Sequence, residues 1–249
     1  MLTQKQRTEF ADTGLLKLPQ AVPADEAGRM ADRIGEYLTS PESIQRNSEQ
    51  AWLAERPHGF RSLHRAGTFN SVGRGSIPIA LDELYGPDGW ERPRHWGHVL
   101  VTNRVGDRPW EVPTGGWHVD RQPSVPGITV FVILAPLRPS GGGTLVLTGS
   151  HRLLSDAPVQ RKYNGKYRHI LAARHQWLKD LWHGTKNMRC LGEGVVLDGI
   201  PVRVVELTGE AGDAYLMRAD AFHAPAPNAL KSPRIMLVDT FRVEGSPIL

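Results

Sequence analysis

Residues 127–137 read GITVFVILAPL. The run is short and rich in Val, Ile, Thr and Phe, and it is bounded by Gly127 and Pro136. That is the composition of a β-strand closed by turn formers. Five more runs share the texture: GHVLVTNRV (97–105), GTLVLTGSH (143–151), VRVVELTG (202–209), DAYLMRAD (213–220) and RIMLVDTFRV (234–243). Several short strands with Gly and Pro between them argue for a barrel or a two-sheet sandwich.

Outward from this block the texture changes. LTQKQRTEFADTG (2–14) reads as a short amphipathic helix stopped by Gly14, and LLKLP (15–19) as a short strand. PADEAGRMADRIGEYL (23–38) is a second helix, with Ala27, Met30, Ile34 and Leu38 on one face. Residues 40–76 are polar and poorly periodic, and are expected as loops and short helices on the surface. Residues 155–192 interrupt the strands with a basic, partly helical insertion that carries Trp177 and Trp182.

The chain of 249 residues suits one large domain, and no Pro/Ser-rich linker divides it. Its 26 Gly and 19 Pro fit a turn-rich β protein better than a helix bundle. Cys190 is the one cysteine, so neither an intrachain disulfide nor a cysteine-based zinc site can form. Lys and Arg total 30 against 26 acids. That small excess does not mark a nucleic-acid partner. Its densest stretch, 161–189, holds eight Lys or Arg and a lone acid, Asp180. It reads as a solvated helical face or as a basic lid over an anionic substrate. No signal core and no apolar run of about 20 residues is present, so a cytoplasmic protein without a membrane partner is expected.

The chemistry begins at GGWHVDRQPS (115–124). His118 and Asp120 are one residue apart, so on a strand their side chains share a face and reach one point. A His-x-Asp pair alone is weak evidence. A third ligand is offered by His223, which follows the strand-like GDAYLMRAD. Two His and one carboxylate on one face of a metal form the facial triad of non-heme Fe(II) oxygenases, whose open positions take a chelating cosubstrate and then O2. Eleven residues further, Arg234 sits inside the apolar SPRIMLVDTF. A planar, bidentate donor there suits the distal carboxylate of a cosubstrate such as 2-oxoglutarate. A metal-binding lyase, isomerase or binding module of cupin type would use the same ligands but has no need of that arginine.

From Trp117 to Arg242 the chain resembles the phytanoyl-CoA dioxygenase family of Fe(II)/2-oxoglutarate-dependent oxygenases. The resemblance lies in WHVD, GGGTLVLTGSHR, GEAGDAYLMRADAFHAPAPN and SPRIMLVDTFR, and the N-terminal helices also look like the family's opening. It implies one mainly β domain over 1–249, a double-stranded β-helix or jelly roll of cupin type. Helices within about 1–95 would flank it, and about 155–192 would be a lid-like insertion. It implies Fe(II), 2-oxoglutarate and O2 as cofactor and cosubstrates, held by His118, Asp120 and His223 for the metal and Arg234 for the carboxylate. The expected reaction is hydroxylation of a small natural-product or amino-acid-derived substrate. Because Asp120 is present, halide transfer is disfavoured. The chain departs from the family's pattern at Thr148, usually proline, and at Pro225, where a Ser or Thr often helps hold the cosubstrate. Thr102, Thr129 or Thr144 is expected to supply that hydroxyl instead. Trp117 is expected beside the site, and Trp117, Trp177 and Trp182 are candidate substrate contacts. His151 is expected to tie down its turn, Asp213 to shape the turn before a strand, and Asn228 to order the loop after His223.

Overall fold

The computed structural model describes residues 1–40, 56–104, 106–107, 109–155, 166–184 and 191–248. Cys190 lies outside them. Among the described residues no helix is long and apolar enough to cross a membrane.

Among the described residues nine strands make two antiparallel sheets. The strands are β1 (Leu15–Leu18), β2 (His98–Thr102), β3 (Gly127–Ile133), β4 (Thr144–Thr148), β5 (Val195–Leu197), β6 (Ile200–Glu206), β7 (Ala214–Arg218), β8 (His223–Pro225) and β9 (Arg234–Arg242). The larger sheet runs β1-β7-β3-β9-β2 and the smaller β5-β6-β4-β8. Each strand-like run of the sequence becomes a strand. The short β5 and β8 are additional. β5 had a signal, because Asp198-Gly199 joins it to β6 with φ of 49° and 75°. Two successive residues at positive φ form the type I′ hairpin turn that Asp-Gly favours.

Strand periodicity explains the layers. On β3, Ile128, Val130 and Val132 point outward into a core shared with the N-terminal helices, while Phe131 and Ile133 point inward toward the other sheet. On β9, Leu237 and Phe241 face outward and Met236 inward. The small sheet repeats the logic, with Leu145 and Leu147 of β4 in an outer core and Val146 inward. Among the described residues three apolar cores result, one between the sheets and one on each outer face.

Helix α1 (Gln4–Thr13) opens on a capping box between Thr3 and Gln6 and ends at Gly14, whose φ of 71° suits glycine. Helix α2 (Ala24–Leu38) buries Ala27, Met30 and Ile34, with Leu38 partly buried. The described part of 40–76 holds the short helix α3 (Arg61–Arg65) and a 3-10 turn (Asn70–Arg74). Helix α4 (Ser76–Tyr85), within the helical region expected over about 1–95, buries Ile77, Leu81 and Leu84 against the large sheet's outer core.

Of the insertion expected as a lid at 155–192, the described part packs on the fold. After the single turn α5 (Ser150–Leu153), helices α6 (Lys166–Arg174) and α7 (Gln176–His183) pack on the small sheet's outer face. Tyr167, Leu171, Leu178, Leu181 and Trp182 are all at most 3% exposed there. By burying large apolar side chains the described part buttresses the small sheet. Residues 156–165 and 185–190 lie outside the described residues.

Candidate metal centre

His118 lies on an extended segment rather than in a regular strand. It pairs with His223 through an isolated antiparallel bridge, with reciprocal N–H···O bonds of 2.9 Å. The backbone N–H groups of Asp120 and Arg121 both donate to the Ala219 carbonyl. Alternation holds along both segments. Trp117 and Val119 enter the small sheet's outer core and leave His118 and Asp120 facing inward. Phe222, Ala224 and Ala226 do the same for His223 and Pro225.

The structure brings His118, Asp120 and His223 together, with one ligand atom from each within 4.8 Å of the others. Asp120 Oδ1 is 3.7 Å from His118 Nε2 and 3.5 Å from His223 Nε2. Two ligands bonded at about 2.1 Å to one metal are at most about 4.2 Å apart, so both spacings fit a shared ion. The other ring nitrogens are held. His118 Nδ1 is 2.7 Å from the Gly116 carbonyl, and His223 Nδ1 is 3.2 Å from that of Ala221. A carbonyl only accepts, so each Nδ1 carries the hydrogen and each Nε2 keeps its lone pair for a metal. Burial holds His223 below the usual histidine pKa, which favours the neutral ring that ligation needs.

Asp120 is oriented from behind. Its Oδ2 accepts from Thr129 Oγ1 at 2.6 Å and Thr240 Oγ1 at 3.4 Å. Those threonines are register partners on β3 and β9. Thr129, expected as a cosubstrate contact, thus has its hydroxyl engaged by the Asp120 carboxylate. Thr240 was missed altogether. Its signal was the inward parity it shares with Arg234 on β9.

A cavity of about 360 Å³ is lined by these ligands together with Arg234, Thr144, Phe131 and Pro225, a size suited to a small molecule. Arg234 is 3% exposed. It donates to Thr144 Oγ1 at 3.3 Å, while its Nε is buried without a hydrogen-bond partner among the described residues. Burial, and then the charge of nearby Arg56, holds its pKa down to about 10. Thr102, directly opposite on β2, also has a buried hydroxyl without a partner. Orphaned buried donors are costly, and a carboxylate accepting from them would relieve that cost. The residues thus fit an anionic chelating cosubstrate.

The tryptophans are elsewhere. Trp117 is 2% exposed and donates from its indole to the Pro113 carbonyl. It anchors the ligand segment from the core side. Trp182 lies 5.3 Å from Phe222 with the rings tilted by 53° and is 3% exposed, and Trp177 packs against the same core. Neither these two nor Trp117 lines the cavity, because a large apolar ring gains more from the core than from a wet pocket. The supporting residues follow expectation. His151 Nε2 donates to the Ala11 carbonyl, Asp213 accepts from Gln20 and Glu210 backbone N–H groups, and Asn228 bonds Thr102, Leu230 and Ser232.

A second group, His64, His98 and Asp239, also brings three ligand atoms within 4.8 Å. Its imidazoles are stacked at 4.1 Å and 28°, and His98 Nδ1 is engaged by Asp239 at 2.9 Å. Stacked rings aim their in-plane lone pairs in parallel rather than at one point. The group reads as a clasp between α3 and the edge strand β2.

No protein-family model matches the chain. No curated protein is similar to it. Solved structures are. AviO1 from Streptomyces viridochromogenes Tue57 aligns over 100% of this chain and 99% of its own at 18% identity, with a TM-score of 0.58. HygX from Streptomyces hygroscopicus, solved with nickel and 2-oxoglutarate bound, covers 98% and 88% at 13% identity and 0.57. SnoN, a non-heme alpha-ketoglutarate-dependent epimerase of nogalamycin biosynthesis, covers 96% and 80% at 14% identity and 0.56. At such identities the likeness is one of fold: this chain shares the architecture of these three proteins.

Proposed function

We propose that the chain is an Fe(II)- and 2-oxoglutarate-dependent oxygenase of the phytanoyl-CoA dioxygenase type, with its two sheets as the walls of a jelly roll. Its expected reaction is hydroxylation of a C–H bond in a small natural-product or amino-acid-derived substrate. The observation that carries this is the joint arrangement of three metal-facing ligand atoms and a buried, under-satisfied arginine in one cavity.

His118 Nε2, His223 Nε2 and Asp120 Oδ1 hold the metal, and Thr129 with Thr240 fixes the carboxylate's rotation. Arg234 takes the distal carboxylate of the cosubstrate, assisted by Thr144 and by the free hydroxyl of Thr102. Phe131, Leu100 and Val238 supply apolar walls that limit water beside the metal. Fe(II) with 2-oxoglutarate and O2 supplies the oxidising power for C–H chemistry. The protein's share is to orient the ligands and the substrate.

Anaerobic titration with Fe(II) and 2-oxoglutarate, followed by succinate measurement on admitting O2, tests the reading. Stoichiometric binding of both and succinate formation are expected. A protein that binds a metal but neither binds nor consumes 2-oxoglutarate is not an oxygenase of this kind.

A further inference from the structure

Beside the cavity lies a second, more open space of about 390 Å³, lined by Asp120, Arg121, Gln122, Val125 and Thr240. It shares Asp120 and Thr240 with the cavity, so the two spaces meet at the carboxylate ligand. Arg234 closes one. Arg121 lines the other.

Arg121 follows the carboxylate ligand directly, and its backbone is fixed by the Ala219 carbonyl at 2.9 Å. Its stem lies across Gly127, the first residue of β3. A Cβ at that glycine would stand 2.8 Å from Arg121 Nε and 3.0 Å from the Phe241 carbonyl oxygen. Only a glycine leaves the arm this path. Arg121 Nε is fully buried and has no hydrogen-bond partner among the described residues, and no acid there pairs with its guanidinium. Arg242, exposed, is the register partner of Gly127, so a second positive charge flanks the same spot.

The usual fate of a partly buried arginine is a fork of hydrogen bonds to a carboxylate or backbone carbonyls. Arg218, 22% exposed, makes that fork with Asp220 through Nε and Nη2, and the more exposed Arg92, Arg138 and Arg174 each still pair with an acid. Arg121 does not, although it lies beside the metal-facing carboxylate, in a groove large enough for a small molecule.

We propose that Arg121 is a specificity-determining residue that binds an anionic oxygen group of the substrate, a carboxylate or a phosphate ester. The substrate's body then lies over Asp120 and Thr240 toward the metal. The proposal takes the metal centre from the oxygenase reading, but anion binding at Arg121 is measurable without turnover. Arg234 and Arg121 divide two anions between them, one at the Arg234 end of the cavity and one in the more open groove. Charge alone does not distinguish them. Access does, since Arg234 is buried and Arg121 borders solvent.

The test uses matched probes: aliphatic and aromatic carboxylic acids against their primary amides, and phosphate monoesters against the parent alcohols. Each is titrated into the whole protein with Co(II) and saturating 2-oxoglutarate present, so that Arg234 is not the site read. In at least one arm the anionic member is expected to bind at least tenfold tighter, and the arm that responds identifies the group. Arg121→Gln is expected to erase the preference while keeping wild-type affinities for Co(II) and 2-oxoglutarate. Gly127→Ala, which displaces the arm without removing it, should weaken it. If Arg121→Gln fails to fold, Arg121→Lys and Gly127→Ala carry the test. Neutral probes binding as tightly as anions in both arms overturns the proposal, as does a preference that survives loss or displacement of the arginine. A wild-type protein that ignores 2-oxoglutarate but keeps the anion preference sinks the oxygenase reading alone.

Discussion

Replacing Thr129 by Val removes one hydroxyl and almost no volume. That hydroxyl donates to Asp120 Oδ2 at 2.6 Å, from a residue with no exposure to solvent. A hydrogen bond to a charged group contributes about 1.5–3 kcal/mol. Thr240, at 3.4 Å from the same oxygen, remains as a weaker partner and limits the loss in the single variant. The expected effect is about 1.5 kcal/mol, roughly tenfold in the dissociation constant for the metal. Adding Thr240→Val should bring it toward about 100-fold, the upper end of what outer partners of metal ligands contribute. The assay is anaerobic titration with Fe(II), with Co(II) absorption as a second readout of ligand geometry. The affinity for 2-oxoglutarate at saturating metal should hardly change. If Thr129→Val binds metal within twofold of the parent, the hydroxyl does not orient the ligand. If only 2-oxoglutarate binding falls, Thr129 serves the cosubstrate, as the sequence alone had suggested.

Arg234→Met should abolish 2-oxoglutarate binding yet leave the melting temperature of the ligand-free protein unchanged or higher, because an under-satisfied buried charge is removed. Thermal scans with and without 2-oxoglutarate and metal check both halves, and a ligand-induced rise surviving in the variant refutes the assignment. Burial lowers the His151 pKa from about 6.5 to about 4. The unfolded chain therefore takes up its proton first as pH falls, and about 3 kcal/mol of stability, complete above about pH 6.5, is lost toward pH 4. Denaturant unfolding of the parent and His151→Leu across that window should show a shallower pH slope in the variant. Gly14→Ala should cost at least about 1–2 kcal/mol for its left-handed backbone, with its Cβ also meeting His151 Nδ1 at 2.6 Å. An unchanged unfolding midpoint contradicts that account. Trp182→Ala should destabilise by about 3–5 kcal/mol without redirecting substrate choice, and a folded variant with altered preference would favour the lid role instead.

The strands were legible because each obeys one local rule, branched or apolar residues between Gly and Pro, and both faces of β3 and β9 have a core to meet. His118 and Asp120 were legible for the same reason of period two, even though their segment forms a single bridge instead of a strand. What stayed hidden depends on which wall faces which. Thr102, Thr129 and Thr144 are equivalent as hydroxyls in sequence, and register across β2, β3, β4 and β9 alone gives one to Asp120 and leaves the others near Arg234. Trp177 and Trp182 looked like substrate contacts because helical spacing cannot say whether a face meets a ligand or a sheet. The three residues of β8 are too few for any periodicity to register.

The paired backbone bonds between residues 118 and 223 have a further meaning. The frame that sets the spacing of the two imidazoles is made of peptide groups, so it does not depend on the side chains mounted on it. The same holds at residue 120, where Ala219 grips the main chain. Changes to the ligand set are then single-residue events. A different donor, or none, can be installed at 118, 120 or 223 while the scaffold stays in register. Such a lattice lets descent alter the chemistry at the metal faster than it alters the fold around it.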